Sequence, residues 1–238
     1  MHILRFDTKI AWVQGIASWW RDRLHLHPSL RICLPSGNTP TPIYAAMAQS
    51  VARGEASFRG TDLFALDEYG GLAPSDPGLC VNMLRKDLID HIDIPANRFH
   101  WIDTQAPDVD RVCRDYDAAI GAGFDLTILG IGLNGHLGLN EPGSVPESET
   151  RRVEMHPASI SASAQYLTHS NTPKWGVAVG MRRLLESREV WLLASGATKA
   201  EIIQRTAEGE IGVSVPASLL RYHPNCSLIV DGEAGSRL

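Results

Sequence analysis

The 238-residue sequence predicts an α/β fold: an open, mostly parallel sheet with helices on both faces, in one domain spanning residues 1–238. Three observations lead there. Short apolar runs of strand length alternate with longer stretches at helical spacing. The polar residues with chemical potential cluster just after those runs, where an open parallel sheet places its ligands. With 44% hydrophobic and 21% charged residues, the chain can bury a substantial core and keep a solvated surface.

In chain order, a first strand is expected at the N-terminus, and further strands over residues 30–34, 62–66, 124–129, 177–179, 190–194 and 227–230. Each of these later runs is apolar and about strand length, and all but 190–194, which runs into Ser195-Gly196, are followed directly by Gly, Pro or Asp. Helices are expected over 42–52, 79–91, 108–122 and 198–208, where apolar residues recur at helical spacing among good helix formers. This alternation builds βα units, which excludes a helix bundle or a sandwich. Residues 142–161 are polar and weakly periodic, and they are expected to form a lid.

Composition removes several function classes. The net charge is −5, and the 22 Lys and Arg are scattered rather than arranged in a stripe, so nucleic acid is not an expected partner. No apolar run is long enough to span a bilayer, and the opening MHILRFDTK is not a signal peptide, which predicts a cytoplasmic protein without a membrane partner. Cys33, Cys80, Cys113 and Cys226 are far apart and form no zinc-site pattern. They are expected as reduced, mostly buried thiols, and no metal is predicted.

Three strand ends carry candidate chemistry. After 30–34 comes Ser36-Gly37-Asn38-Thr39, a small-residue turn feeding a helix whose N-terminus would present N–H groups to an anion such as phosphate. An ordinary Ser- or Thr-capped turn is the alternative reading, and no nucleotide P-loop follows. After 62–66 comes Asp67-Glu68-Tyr69, where a partly desolvated Asp67 would acquire the pKa of a general base. A surface turn cap is the alternative there.

After 124–129 the chain reads GIGLNGHLGLNEPG. Its GxGxxG fails as a dinucleotide site, because Gly138 and Pro142-Gly143 forbid the long helix that must follow. The loop instead brings His136 and Glu141 into one short segment, where a carboxylate can orient an imidazole.

Taken with SGNTP, LDEYGGL, LGIGLNGHLGLNEPGS and ASGATKAEII, these residues give the chain a resemblance to the glucosamine-6-phosphate deaminase family, whose fold is shared with 6-phosphogluconolactonase. The resemblance covers nearly the whole chain. It implies that a 2-amino-2-deoxyhexose 6-phosphate opens, isomerises and loses ammonia to give a ketose 6-phosphate, with no metal or organic cofactor. It implies that His136 opens the ring with Glu141 as its partner, that Asp67 moves a proton between C2 and C1, and that Asn134 accompanies them in the catalytic loop. Ser36, Gly37, Asn38, Thr39, Gly135 and Lys199 are implied as the substrate and phosphate contacts. A small amino-sugar phosphate is thus the expected partner, and a homo-oligomer is among the assemblies this reading admits.

The chain departs from the family in two places. Asn134 stands where many relatives carry Asp, so the group beside His136 is an amide and no base. Residues 159–166 contain no Arg where the better-known glucosamine enzymes have a phosphate-binding one. The PGLC at 77–80, the GHLGLNEPG loop and VPASLLRYH at 215–223 resemble the galactosamine-6-phosphate branch more closely. Galactosamine 6-phosphate is therefore the expected substrate and glucosamine 6-phosphate the alternative. A lactonase is disfavoured by Asn140-Glu141-Pro142, a transcriptional sugar-phosphate sensor by the lack of a basic recognition helix, and a purely structural role by the coincidence of three strand ends.

Overall fold

The computed structural model of the chain describes residues 1–167 and 172–238. Seven strands form one parallel sheet. In chain order they are β1 (His2–Phe6), β2 (Arg31–Leu34), β3 (Asp62–Ala65), β5 (Phe99–His100), β6 (Leu126–Leu129), β9 (Glu189–Ala194) and β10 (Cys226–Asp231). Across the sheet the order is β1-β10-β9-β6-β2-β3-β5. The order reverses direction beside β2 and β6, and the loops after these strands carry the cradle and the His136 loop. A second sheet is antiparallel and joins β4 (Asp67–Tyr69), β8 (Trp175–Ala178) and β7 (Arg151–Glu154) in the order β4-β8-β7.

Helices cover both faces of the large sheet. On one face α1 (Lys9–Leu26), α2 (Thr41–Ala52) and α3 (Cys80–Asp87) share a core with Ile32, Leu34, Leu63, Ala65, Leu193 and Ile229. On the other, α4 (Val109–Ile120), α6 (Met181–Leu185) and α7 (Ala200–Glu208) pack with Cys33, Phe64, Leu129, Leu192 and Leu228. Alternate residues of β2, β3, β6, β9 and β10 thus point to opposite cores, as the pleat requires. A further helix, α5 (Pro157–Ser163), lies outside these two layers and covers a cleft described below.

The α/β class and the helices on both faces are as the sequence predicts. The helix predicted over 79–91 splits into α3 and a 3-10 turn at Ile89–His91, and the one predicted over 198–208 begins as a 3-10 turn at Ala197–Lys199. The longest helix, α1, is not among the sequence predictions. Thr8 Oγ1 caps it by accepting from Ala11 N at 3.1 Å. Trp12, Ile16, Trp20 and Leu24, spaced by four residues, bury its inner stripe. The run at 177–179 corresponds to β8, in the small antiparallel sheet rather than the parallel one.

Residues 142–161, expected as a lid, are largely anchored: β7 pairs with β8, and Arg151 donates to Asn140 Oδ1 at 2.9 Å and to Ser144 Oγ at 2.9 Å. All four cysteines are buried free thiols. Among the described residues no helix is long and apolar enough to cross a membrane.

Candidate active site

A cleft of about 480 Å³ opens at the carboxyl edge of the large sheet. Ser36, Gly37, Asn38 and Thr39 line it from the loop after β2, Asp67 from the start of β4, Asn134 and His136 from the loop after β6, and Lys199 from the turn after β9. Glu141 sits behind His136 rather than on the cleft wall. Among the described residues no cluster of three His, Cys, Asp or Glu has the arrangement to hold a metal ion.

Asp67 is held where the chain passes from the large sheet to the small one. Leu66 N donates to Leu34 O at 2.9 Å, Val179 N donates to Leu66 O at 2.9 Å, and Asp67 is the register partner of Ala178. Its side chain is 8% exposed. Burial pushes its carboxyl up to about 6, against the opposing effects of the Cys80 thiol and the His136 charge.

Neighbouring Glu68, 2% exposed, points the other way. It accepts from Tyr69 N, Cys80 N and Val81 N, each at 2.8 Å, and so caps α3. Burial pushes Glu68 up to about 7, opposed by those three amides. The two adjacent acids thus divide into one that faces the cleft and one that supports it.

The imidazole of His136 is backed by a hydrogen-bonded carboxylate. Its Nδ1 lies 3.4 Å from Glu141 Oε2 and 3.0 Å from Ser159 Oγ. Asn134 Nδ2 donates to Glu141 Oε2 at 3.0 Å, while Asn134 Oδ1 accepts from His136 N at 3.2 Å. His156 N adds a bond to Glu141 Oε1 at 3.3 Å. Burial pushes the Glu141 carboxyl up, but bonds from His136, Ser159 and Asn134 more than offset it and hold it at about 2. An ionised Glu141 favours the tautomer with the proton on Nδ1, which leaves Nε2 for the cleft.

Glycines let this loop close in: a Cβ at Gly132 would overlap the His136 ring, and one at Gly138 would lie 2.8 Å from Leu66 and 3.0 Å from Asp67 Oδ2. Gly135, expected as a substrate contact, is not part of the cleft wall. It turns inward, where an added Cβ would meet Val215 Cγ1 at 2.6 Å.

The cradle differs from the sequence expectation in its donors. The N-terminus of α2 holds Pro40 and Pro42, neither of which has an N–H, and the amides of Ile43 and Tyr44 both donate to Pro40 O at 2.9 Å. The Thr41 hydroxyl is held between Gly37 O at 3.0 Å and Asp87 Oδ2 at 2.7 Å. In its first turn the helix is thus left with the Thr41 amide as a donor, and most anion-binding donors come from the loop of residues 36–39. Tyr166 and Gln165, which follow α5, lie over this loop: Asn38 N donates to Tyr166 Oη at 3.3 Å and Asn38 Nδ2 to Gln165 Oε1 at 3.0 Å. Lys199 Nζ donates to Ile131 O at 2.6 Å, and burial draws its ammonium below the ordinary lysine range.

Sequence reasoning did not single out Ser159, Gln165, Tyr166 or Cys80. Each reaches the site through a tertiary contact, and neither the PGLC at 77–80 nor the Arg-free stretch 159–166 shows from the sequence which side chain does so.

The family model for glucosamine-6-phosphate isomerases/6-phosphogluconolactonase matches residues 8–228. The chain is 35% identical to a glucosamine-6-phosphate deaminase of Shouchella clausii over 239 residues, which covers 99% of this chain and 97% of the relative. It is 38% identical to one from Halothermothrix orenii over 216 residues, covering 90% of each chain. A solved structure of a monomeric glucosamine-6-phosphate deaminase superposes with a TM-score of 0.96 at 30% identity and covers all of both chains. A 6-phosphogluconolactonase from Thermotoga maritima superposes with a TM-score of 0.77 at 18% identity, covers 97% of this chain and 99% of its own, and shares the fold. By this match along nearly its whole length, the chain belongs to the glucosamine-6-phosphate isomerase/6-phosphogluconolactonase family.

Proposed function

We propose that the protein is an amino-sugar-6-phosphate deaminase that converts glucosamine 6-phosphate to fructose 6-phosphate and ammonia. One observation carries the chemistry: a buried carboxyl, Asp67, with its pKa raised to about 6, faces the same cleft as an imidazole backed by an ionised carboxylate. A base with that pKa is largely ionised at neutral pH and still basic enough to take a proton from carbon beside a carbonyl. His136 then acts through Nε2 at the ring oxygen to open the sugar, with Glu141 stabilising the charge it acquires. Asp67 removes the C2 proton and delivers it to C1, and the substrate's own carbonyl carries the intermediate charge. The proton shift leaves an imine at C2; water adds to that carbon and the C–N bond breaks, releasing ammonia and leaving the ketose phosphate. Residues 36–39 and Lys199 hold the phosphate.

The sequence motifs favour galactosamine 6-phosphate, whereas the relatives described above are named for glucosamine 6-phosphate, which supports the glucosamine reading. Parallel incubation with both sugars, following ammonia and identifying the ketose 6-phosphate, tests the choice. Turnover favouring glucosamine 6-phosphate is expected. Preference for the galactosamine sugar would restore the motif-based reading. Hydrolysis of 6-phosphogluconolactone without ammonia from either amino sugar would overturn the proposal.

A further inference from the structure

We infer that Lys9, in the first turn of α1, is a phosphate-binding residue that supplies the second positive charge of the substrate site. This rests on the reading of the cleft as a sugar-phosphate site. A phosphomonoester carries a charge of roughly −1.5 to −2 near pH 7. Among the described residues lining the cleft there is no arginine, and the side chains with a permanent positive charge are Lys9 and Lys199. Lys199 is half-committed already, since its ammonium is partly desolvated and bonded to Ile131 O at 2.6 Å. The helix that follows the cradle offers little in compensation, because Pro40 at its cap and Pro42 in its first turn lack an N–H and the amides of Ile43 and Tyr44 are bonded to Pro40 O. The site as otherwise built is short of one charge.

Lys9 stands in the right place to provide it. Helices that follow parallel strands begin at the carboxyl edge of the sheet. α1 and α2 pack side by side on one face, so their first turns both border the cleft. Lys9 is exposed and, among the described residues, forms no hydrogen bond and no ion pair within 4.0 Å.

The carboxylate whose pKa its charge influences is Asp231, at the end of β10, and that group has other partners. Ser195 Oγ donates to it at 2.6 Å, Ala234 N at 2.8 Å and Gly196 N at 3.1 Å. A lysine at this position also opposes the helix: the first turn of a helix favours acidic side chains, and α1 has none there. A cation set against the α1 dipole raises the positive potential at the cleft mouth, which suits an incoming dianion and gives α1 nothing.

The test compares wild type with Lys9→Met, Lys9→Arg and, as a charge-matched control outside the cleft, Lys86→Met. Inorganic phosphate is titrated by calorimetry, and KM and kcat are measured with glucosamine 6-phosphate. For Lys9→Met, phosphate affinity is expected to fall about tenfold and KM to rise by a similar factor, with kcat within about twofold of wild type. Lys9→Arg should restore most of the loss, and Lys86→Met should leave both values at wild type. Phosphate affinity unchanged by Lys9→Met, or lowered equally by Lys86→Met, would overturn the inference. If wild type releases no ammonia from either hexosamine phosphate, the functional reading fails, and the phosphate titration still decides on Lys9.

Discussion

At the scale of single residues, the cleft separates two carboxyls by environment. Asp67 is raised because burial dominates, and Glu141 is lowered because hydrogen bonds dominate. The proposed roles follow from this split. Asp67→Asn keeps the shape and removes the base, so kcat for ammonia release is expected to fall about 10²–10⁴-fold while the thermal midpoint stays at or above wild type. The acidic limb of kcat/KM for wild type should titrate near pH 6, the Asp67 value.

The same shifts set opposite slopes of stability with pH. Asp67 binds its proton more tightly folded than unfolded, so its contribution is full below the unfolded value of 3.8 and is lost as pH rises to about 6. Glu141 contributes above its unfolded value of 4.5, and that contribution is lost as pH falls toward 2. Ser159→Ala removes one of the two partners at His136 Nδ1 and is expected to lower kcat about three- to tenfold with KM unchanged.

At the scale of elements, α3 is secured from outside its own sequence. Its first amides, Cys80 N and Val81 N, are accepted by Glu68, so Glu68→Ala would leave three buried N–H groups without an acceptor. A cost of about 2–3 kcal/mol follows, seen as a fall of about 5–10 °C in thermal midpoint. The sequence points to Asp67 by its place directly after the apolar run, but the turning of Glu68 away from the cleft to cap α3 is not visible there. Alternation along β4 decides that, and β4 exists only because β8 pairs with it from more than 100 positions away.

Legibility in the sequence follows the same boundary. The strands after which Ser36, Asp67 and His136 fall could be read because buried parallel strands are continuous apolar runs. Of the small sheet only β8 could be read, since β7 alternates exposed and half-buried residues and β4 is three residues long. The side chains that α5 brings over the cleft were illegible for the same reason: their positions depend on docking, not on a local pattern.

At the scale of the whole molecule, the two ends of the chain form one edge of the large sheet. Among the described residues β1 pairs only with β10, and Trp12 Nε1 of α1 donates to Ile229 O at 3.0 Å, a contact spanning 217 positions. Trp12 is fully buried, and Trp12→Ala is expected to destabilise the fold by about 3–5 kcal/mol, measured by urea denaturation. Trp12→Phe, which keeps most of the packing and loses the hydrogen bond, should cost about 1 kcal/mol.

The junction at Leu66 and Asp67 has a consequence for isotope exchange. The amide proton of Leu66 is donated to Leu34 O within the large sheet and that of Val179 to Leu66 O between the sheets, so the first meets solvent only when β2 and β3 separate and the second only when the two sheets part. Both are expected among the slowest to take up deuterium, with or without sugar phosphate, while the amide of Asn38, held by a 3.3 Å bond to the Tyr166 hydroxyl, should be among the fastest in the empty protein and slow when phosphate is added. In that case the acid is delivered ready-made by folding, and the anion has only the cradle left to set in order.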